Sequence, residues 1–509
     1  MYRNLNNKTK LIINYGLLTL AGALFPLGFA PLNFWPLTLL SISLAWLGVN
    51  YLIGSPAIKG WFYGIGLFGT GVSWISASMA VSDTPIVIMF VLTFIFCAVM
   101  ALYFAVQFSV FQKLKQENIW INAISFTALW VVFEWIRGWL FTGFPWLFAG
   151  YISTENWLSG FLPIVGVYGL TLLVVSISVL LVFAMNKPEV KKSLGALIII
   201  ALIFGSGFLL QTREWSQPAG DPIDTAVVQG NIDQKTKWNV GNIKPTFDLY
   251  VSLSQPHLDA DLIIWPEAAI TELRSKATDL TDLLEYIAVQ TNTGIITGIL
   301  TDVTGIERKH YFNSAIGIGQ ASGEYHKQRM VPFGEYVPFS SILRPLLGFF
   351  NLPMSILEAG DTPNSPLMYL GHSLGTLICY EIAYPAMARD SAQKNSVLLT
   401  LSNDAWFGLS FGPYQHLQIA RTRAMETGRP VIRATQDGVS AIIDPKGHIQ
   451  VKADKLKRAT IRQMVQPTSG NTPYLIAGHL WIILLASTFL MYAYLKKTNI
   501  FERLLVLKD

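Results

Sequence analysis

Residues 373–381 read SLGTLICYE, an apolar run of strand type that delivers the thiol of Cys379 beside Tyr380 and Glu381 before the chain turns toward Pro385. Of the 2 cysteines in the chain the other, Cys97, lies in the uncharged run VLTFIFCAVM and reads as a small buried hydrophobe. Cys379 therefore has no evident disulfide mate. A lone cysteine at a strand end is more often structural than catalytic, so its role depends on which groups the fold brings to it.

Outward from this stretch the pattern alternates. Short apolar or β-branched runs at Thr225–Gln229, Leu262–Trp265, Gly294–Leu300, Ala315–Ile318, Leu374–Cys379, Val397–Leu401 and Val431–Ala434 read as strands. Asp279–Gln290, Ala383–Ala392 and Tyr414–Thr427 have helical spacing, the last with Leu417, Ala420, Ala424 and Met425 along one side. Residues 212–470 thus form an α/β domain with its own core, inserted between membrane segments. In such folds reactive groups gather where strands end.

The membrane assignment comes from composition. The 509 residues are 52% hydrophobic and 14% charged, with mean hydropathy +0.42, whereas a soluble protein carries roughly a quarter charged residues. The formal charge of +5 comes with no basic, aromatic-interleaved patch, which argues against a nucleic-acid partner. Apolar runs long enough to span lie near 11–31, 34–54, 60–79, 84–111, 119–137, 160–185, 194–211 and 474–495. These eight spans make a polytopic α-helical domain over 1–211, with the eighth span and a tail in 471–509.

Cations fall in alternate connections: Arg3, Lys8 and Lys10; Lys59; Lys113 and Lys115; Lys187, Lys191 and Lys192; and Lys496, Lys497 and Arg503. The positive-inside rule then sets both termini in the cytoplasm and 212–470 on the outer side. Ala21-Gly22-Ala23 resembles a signal-peptide cleavage site, but the apolar run continues past it, as a span does. Within the segment FEWIRGWLFTGFPW (133–146), Glu134 and Arg137 share a helix face, and two readings stand. One is an interfacial anchor with Trp135, Trp139 and Trp146 as an aromatic belt; the other is contact with a lipid head group.

Two further side chains join Cys379. Glu267, in DLIIWPEAA, ends an apolar strand, where a carboxylate suits a general base. Lys327, in EYHKQRMVPFGEYVP, precedes Glu335 by eight residues; alone it reads as a solvated strand-end cation. Together the three supply a base, a nucleophile and a cation for the oxyanion of a tetrahedral intermediate. There is no G-x-S-x-G elbow and no HExxH, and the 7 histidines lack ligand spacing, so neither metal nor cofactor is expected.

Trp265-Pro266-Glu267, Lys327 ahead of Val331-Pro332-Phe333-Gly334-Glu335-Tyr336, and Cys379-Tyr380-Glu381 resemble the Glu-Lys-Cys pattern of the nitrilase, or carbon-nitrogen hydrolase, superfamily. QGNIDQKTKW (229–238), SNDAWFG (402–408), GPYQHLQIARTRAMETGRPVIRAT (412–435) and the GFPW motif narrow the resemblance to its membrane-bound apolipoprotein N-acyltransferase family, over nearly the whole chain. Gln436-Asp437-Gly438 departs from the Asn-Thr-Gly more usual there.

The resemblance implies an α-β-β-α sandwich on the periplasmic side of the inner membrane. It implies an acyl chain taken from a phospholipid onto Cys379 as a thioester and passed to the α-amino group of a lipoprotein's diacylglyceryl-cysteine. It assigns Glu267 as general base, Lys327 as oxyanion-stabilising cation and Cys379 as nucleophile, with Glu335, Tyr380, Glu381, Trp238 and Trp406 supporting the site. Two rivals stand beside it: a membrane-tethered amidase with the same triad, and a transporter or lipid-binding protein with a vestigial domain, which would have lost at least one of Glu267, Lys327 and Cys379. The broken apolar run Leu346–Ile356 is either a loop over the domain's core or an arm resting on the outer leaflet.

Overall fold

The computed structural model describes residues 5–80, 84–185, 190–304, 309–332, 334–336, 357–361 and 366–498. The Leu346–Ile356 run and Phe333 lie outside the described residues. The chain divides into two compact units, Met1–Arg213 with Ile476–Asp509, and Glu214–Leu475.

The first unit is helical. Among the described residues six helical segments are long and apolar enough to cross a membrane: Asn7–Gly28, Ile86–Leu114, Ile119–Arg137, Trp157–Ala184, Val190–Gln211 and Leu480–Lys497. The expected count of eight is not reached. The runs read at 34–54 and 60–79 form helices of 17 and 16 residues, Trp35–Tyr51 and Pro56–Gly71, the second followed by the short helix Ile75–Ala80. At about 1.5 Å per residue these extend roughly 25 Å, less than a hydrocarbon core of about 30 Å. Helices here pack backbone to backbone through glycine. A Cβ on Gly66 would stand 1.9 Å from the Thr19 carbonyl oxygen, and one on Gly60 would stand 2.1 Å from that of Phe104.

Glu134 and Arg137 are each 3% exposed and are occupied internally. Glu134 Oε1 accepts from Trp130 Nε1 at 3.0 Å and Ala149 N at 2.8 Å, and Oε2 accepts from Thr171 Oγ1 at 2.6 Å. Arg137 donates to the carbonyls of Trp146 and Leu147 and lies over the Phe148 ring. Trp146 is buried with them, while Trp139 is half exposed. This pair ties the Ile119–Arg137 helix to the 146–149 turn and to the helix bearing Thr171, which displaces the head-group reading of these two side chains.

The second unit is a sandwich of two seven-stranded sheets. One runs Ala459–Val465, Ile223–Gln229, Leu262–Ile264, Gly294–Thr304, Lys309–Gly319, Glu324–His326 in spatial order, with Ile270–Leu273 paired off this path. The other runs Ile449–Lys452, Ala441–Ile443, Val431–Thr435, Val397–Ser402, His372–Ile378, Leu367–Tyr369, Ala321–Ser322. The period-2 alternation explains the layering. Val227, Leu262, Ile264, Leu374, Ile378, Leu399 and Leu401 point into a shared core between the sheets. Their neighbours Ala226, Val228 and Ile263 point outward beneath the helices Ile243–Ser254 and Thr278–Thr291. Leu398, Leu377 and Val431 do the same beneath Pro385–Lys394 and Gly412–Thr427. Four layers, α-β-β-α, result.

All seven strands read from the sequence are present, most extended by a residue or more. The strand that opens at Leu262 stops at Ile264, and Cys379 leaves its strand to open a 3-10 turn, Cys379–Ala383. The antiparallel strands Leu367–Tyr369, Ala441–Ile443, Ile449–Lys452 and Ala459–Val465 were not anticipated, because the first two are only three residues long and polar residues alternate with the apolar ones in the other two.

Candidate active site

Three strand ends deliver the polar cluster. Glu267 follows Leu262–Ile264, where the chain bends through Trp265 and Pro266 against the neighbouring strand: Trp265 N donates to Ile296 O at 2.8 Å, and Gly298 N donates to Pro266 O at 3.2 Å. The approach requires glycine, since a Cβ at Gly298 would lie 2.4 Å from Ala268 N and 2.7 Å from Glu267 Cα. Lys327 stands just past Glu324–His326, its N–H donating to Asn313 O at 2.8 Å. Cys379 stands just past His372–Ile378 with φ +54°, a left-handed conformation costly for a residue with a side chain.

The fold joins these ends. Lys327 Nζ donates to Glu335 Oε1 at 2.7 Å and to Glu267 Oε1 at 3.2 Å, and all three residues are buried. Asn313 Nδ2 donates to Glu267 Oε1 at 2.7 Å and Glu335 Oε1 at 3.3 Å, while Asn403 N donates to Glu267 Oε2 at 2.7 Å. Val331 N donates to Glu335 Oε2 at 2.8 Å, so the second oxygen of that carboxylate is held by its own segment. Every carboxylate oxygen in the cluster is bonded, as buried charge requires.

Two carboxylates and one lysine leave the cluster net negative, and the thiol feels it. Burial pushes the Cys379 thiol well above its ordinary range; Glu267, Asp404 and Glu335 push the same way and Lys327 opposes them. Burial by itself lowers the Lys327 ammonium, yet the charges of Glu267 and Glu335 outweigh it and hold the group cationic. The resting site therefore pairs a protonated thiol with a fixed cation.

Glu381 braces the turn. Its carboxylate, buried among apolar groups that push it up to about 7, accepts from Ile378 N and Gln328 N at 2.6 Å each, from Arg329 N at 2.9 Å and from Tyr325 Oη at 3.0 Å. It thereby ties the cysteine's strand to the segment after Lys327. Tyr380 is buried and stacks edge-on against Tyr384. Trp238 is partly buried, with Lys237 Nζ 5.7 Å from its ring centroid and 3.3 Å from the Glu267 carbonyl oxygen. Trp406 lies in the short turn Asp404–Phe407, partly exposed.

Asn313, Asn403 and Lys237 belong to the cluster's shell and were not singled out in the sequence. Asn403 carried a usable signal within SNDAWFG; Asn313, in a strand whose pairing was not anticipated in full, carried none. Among the described residues no group of three or more His, Cys, Asp or Glu side chains could hold a metal ion.

The chain is similar to known proteins over most of its length. Residues 224–474 match the Carbon-nitrogen hydrolase family, and residues 21–180 match the Apolipoprotein N-acyltransferase N-terminal domain. Apolipoprotein N-acyltransferase of Pseudomonas aeruginosa (strain LESB58) is 40% identical over 468 residues, covering 89% of this chain and 90% of that protein. The protein of the same name from Shewanella oneidensis is 35% identical over 496 residues, covering 94% of each. Among solved structures, a carbon-nitrogen hydrolase from Helicobacter pylori G27 aligns with 48% of this chain and 89% of its own, at 19% identity and a TM-score of 0.36. This chain belongs to the apolipoprotein N-acyltransferase family, and is an acyltransferase built on a nitrilase-like domain.

Proposed function

We propose that the enzyme carries an acyl chain from a phospholipid to the α-amino group of a lipoprotein's N-terminal diacylglyceryl-cysteine, through a thioester on Cys379. Glu267 takes the proton from Sγ as sulfur attacks the ester carbonyl, and Lys327 Nζ stabilises the oxyanion of the tetrahedral intermediate. Collapse expels the lysophospholipid alkoxide, which recovers the proton from Glu267. The acceptor amine then attacks the thioester, gives its proton to Glu267, and leaves as the amide while sulfur regains a proton. Glu335 shares the lysine's charge, and Tyr380, Glu381, Trp238 and Trp406 shape the site around it.

The observation that carries this reading is the thiol's environment. A thiol held protonated by burial and nearby carboxylates needs a base at the moment of attack, and Glu267 is bonded to the same lysine that the oxyanion would meet. Two membrane-bound substrates meeting in turn at one site also call for a covalent carrier. For topology, the cationic connections support an inner-membrane protein with both termini in the cytoplasm. The catalytic part, 212–470, would then face the periplasm, between a membrane part over 1–211 and a last span in 471–509. Intact mass spectrometry after incubation with phospholipid tests the reading. The expected result is a single acyl adduct that maps to Cys379 and disappears when a diacylglyceryl peptide with a free amine is added. Release of ammonia from simple amides with no adduct and no transfer would establish the amidase instead.

A further inference from the structure

Behind the nucleophile lies a buried polar chain that the two half-reactions above leave unused. His416, on the Gly412–Thr427 helix, is 1% exposed; Asp404 is 1% exposed and Arg433 is fully buried. His416 Nε2 lies 3.1 Å from the backbone carbonyl oxygen of Cys379. His416 Nδ1 lies 3.1 Å from Asp404 Oδ1 and 3.1 Å from Arg433 Nη2, and Arg433 Nη2 donates to Asp404 Oδ2 at 2.6 Å. Arg433 Nε is itself tied to the Val439 carbonyl at 3.3 Å.

We propose that His416 is a positioning residue for the nucleophile: its Nε2–H holds the Cys379 carbonyl, and Asp404 and Arg433 hold the ring. The proposal rests on the reading of Cys379 as nucleophile. The protonation states decide the donor. With the hydrogen on Nε2 alone, Nδ1 accepts from Arg433 Nη2, whose second hydrogen serves Asp404, and the Arg433 charge offsets the approach of Nδ1 to Asp404 Oδ1. With both nitrogens protonated, Nδ1 donates to Asp404 and Nε2 still donates to Cys379 O. With the hydrogen on Nδ1 alone, two lone pairs face each other across 3.1 Å, and the contact becomes repulsive. Burial and the adjacent Arg433 charge lower the proton affinity of the ring against the opposing pull of Asp404, and the Cys379 carbonyl 3.1 Å from Nε2 is what places a hydrogen on that nitrogen.

The consequence reaches Sγ through the backbone. Cys379 sits at φ +54°, a conformation that persists only where its surroundings over-determine it. Glu381 holds the peptide N–H of Ile378 before the cysteine, and His416 holds the carbonyl after it. Because a peptide group is planar, fixing that carbonyl also fixes the direction of the Tyr380 N–H. A bulky neutral side chain at 416 would leave the turn free to relax toward negative φ, which rotates Cα–Cβ and moves the thiol away from Glu267 and Lys327.

The test compares two polar replacements of similar packing cost. Glutamine at 416 extends its amide N–H₂ to the place of Nε2; asparagine reaches only the place of Nδ1. We expect His416→Asn to slow single-turnover acylation of Cys379 on the order of 100-fold, as a misplaced reacting atom does, with half-saturating phospholipid unchanged. His416→Gln should recover most of the rate at a similar melting temperature. In ¹⁵N-histidine spectra of the wild type, His416 should carry its hydrogen on Nε2. Equal rates for the Asn variant and the wild type, equal losses in Asn and Gln variants, or a hydrogen on Nδ1 alone would each overturn the proposal. If the wild type itself forms no acyl adduct, it is the nucleophile assignment that fails.

Discussion

Lys327 lies closer to Glu335 than to the carboxylate assigned as base: Nζ is 2.7 Å from Glu335 Oε1 and 3.2 Å from Glu267 Oε1. Glu335, bound also by the Val331 N–H, shares the lysine's ammonium with Glu267. Replacing Glu335 with Gln should let Lys327 settle on Glu267. We expect the variant to fold with a stability loss of about 3 kcal/mol, as for a buried ion pair deprived of one partner, and to acylate slowly. Thermal denaturation and single-turnover mass spectrometry check this; a variant with wild-type values of both would show that Glu335 is a bystander.

The charges around the thiol make the two triad variants diverge under alkylation. Glu267 raises the Cys379 thiol and Lys327 lowers it. Glu267→Gln should therefore react faster with iodoacetamide at neutral pH while losing acylation, because the thiolate becomes easier to form but the proton acceptor for catalysis is gone. Lys327→Met should react more slowly with iodoacetamide and lose about 2.7 to 4 kcal/mol of barrier lowering, as for a lost oxyanion donor. Parallel changes in alkylation for the two variants would contradict the assigned roles.

Cys379→Ser should abolish the acyl adduct and transfer while leaving the fold intact, since a hydroxyl is a far weaker nucleophile with a carboxylate base. Cys97, 3% exposed in the Ile86–Leu114 helix, serves as the control. Its replacement by Ala should cost stability by the loss of a small buried group and leave turnover unchanged. Undiminished transfer by the Cys379→Ser variant would remove Cys379 from the mechanism.

The parallel strands were legible because their apolar runs are buried on both faces, and Glu267 and Cys379 were legible because each ends such a run; Lys327, after the half-buried antiparallel Glu324–His326, was legible only beside the motif that follows it. What the sequence could not convey is pairing at a distance. Asn403 reaches Glu267 across 136 positions, and His416 reaches Cys379 across 37, between segments whose local patterns are ordinary when taken alone. The charge pair Glu134–Arg137 was visible as a helix-face spacing, but its partners Thr171 and Ala149 come from another helix and a turn. Without them an internal brace reads like an interfacial anchor. Six of the eight expected spans are long and apolar enough among the described residues; the helices at 34–54 and 60–79 end sooner than their apolar runs, because helix ends depend on local turns such as that at Ser55-Pro56.

The departure at Gln436-Asp437 carries its own pH dependence. Tyr250 Oη donates to Gln436 Oε1, and Leu456 N donates to the Asp437 carbonyl at 2.8 Å, so this turn is held firmly. The Asp437 side chain is 7% exposed, and its Oδ1 has no hydrogen-bond partner among the described residues. Burial, with Asp404 adding to it and Lys237 and Lys455 opposing, pushes this carboxyl up to about 7 from the ordinary 3.8. Between those values the folded chain holds a proton that the unfolded chain has lost. Its contribution to stability is therefore full below about pH 4 and lost as pH rises through about 7. Asparagine stays neutral throughout, so Asp437→Asn should match the wild type near pH 4 and exceed it at pH 8. At about 1.4 kcal/mol per pH unit the gain has an upper bound of about 4 kcal/mol. Melting temperatures of the two proteins measured from pH 4 to pH 8 check it; a difference that stays constant or shrinks with rising pH would mean that Asp437 is ionised in the folded protein throughout.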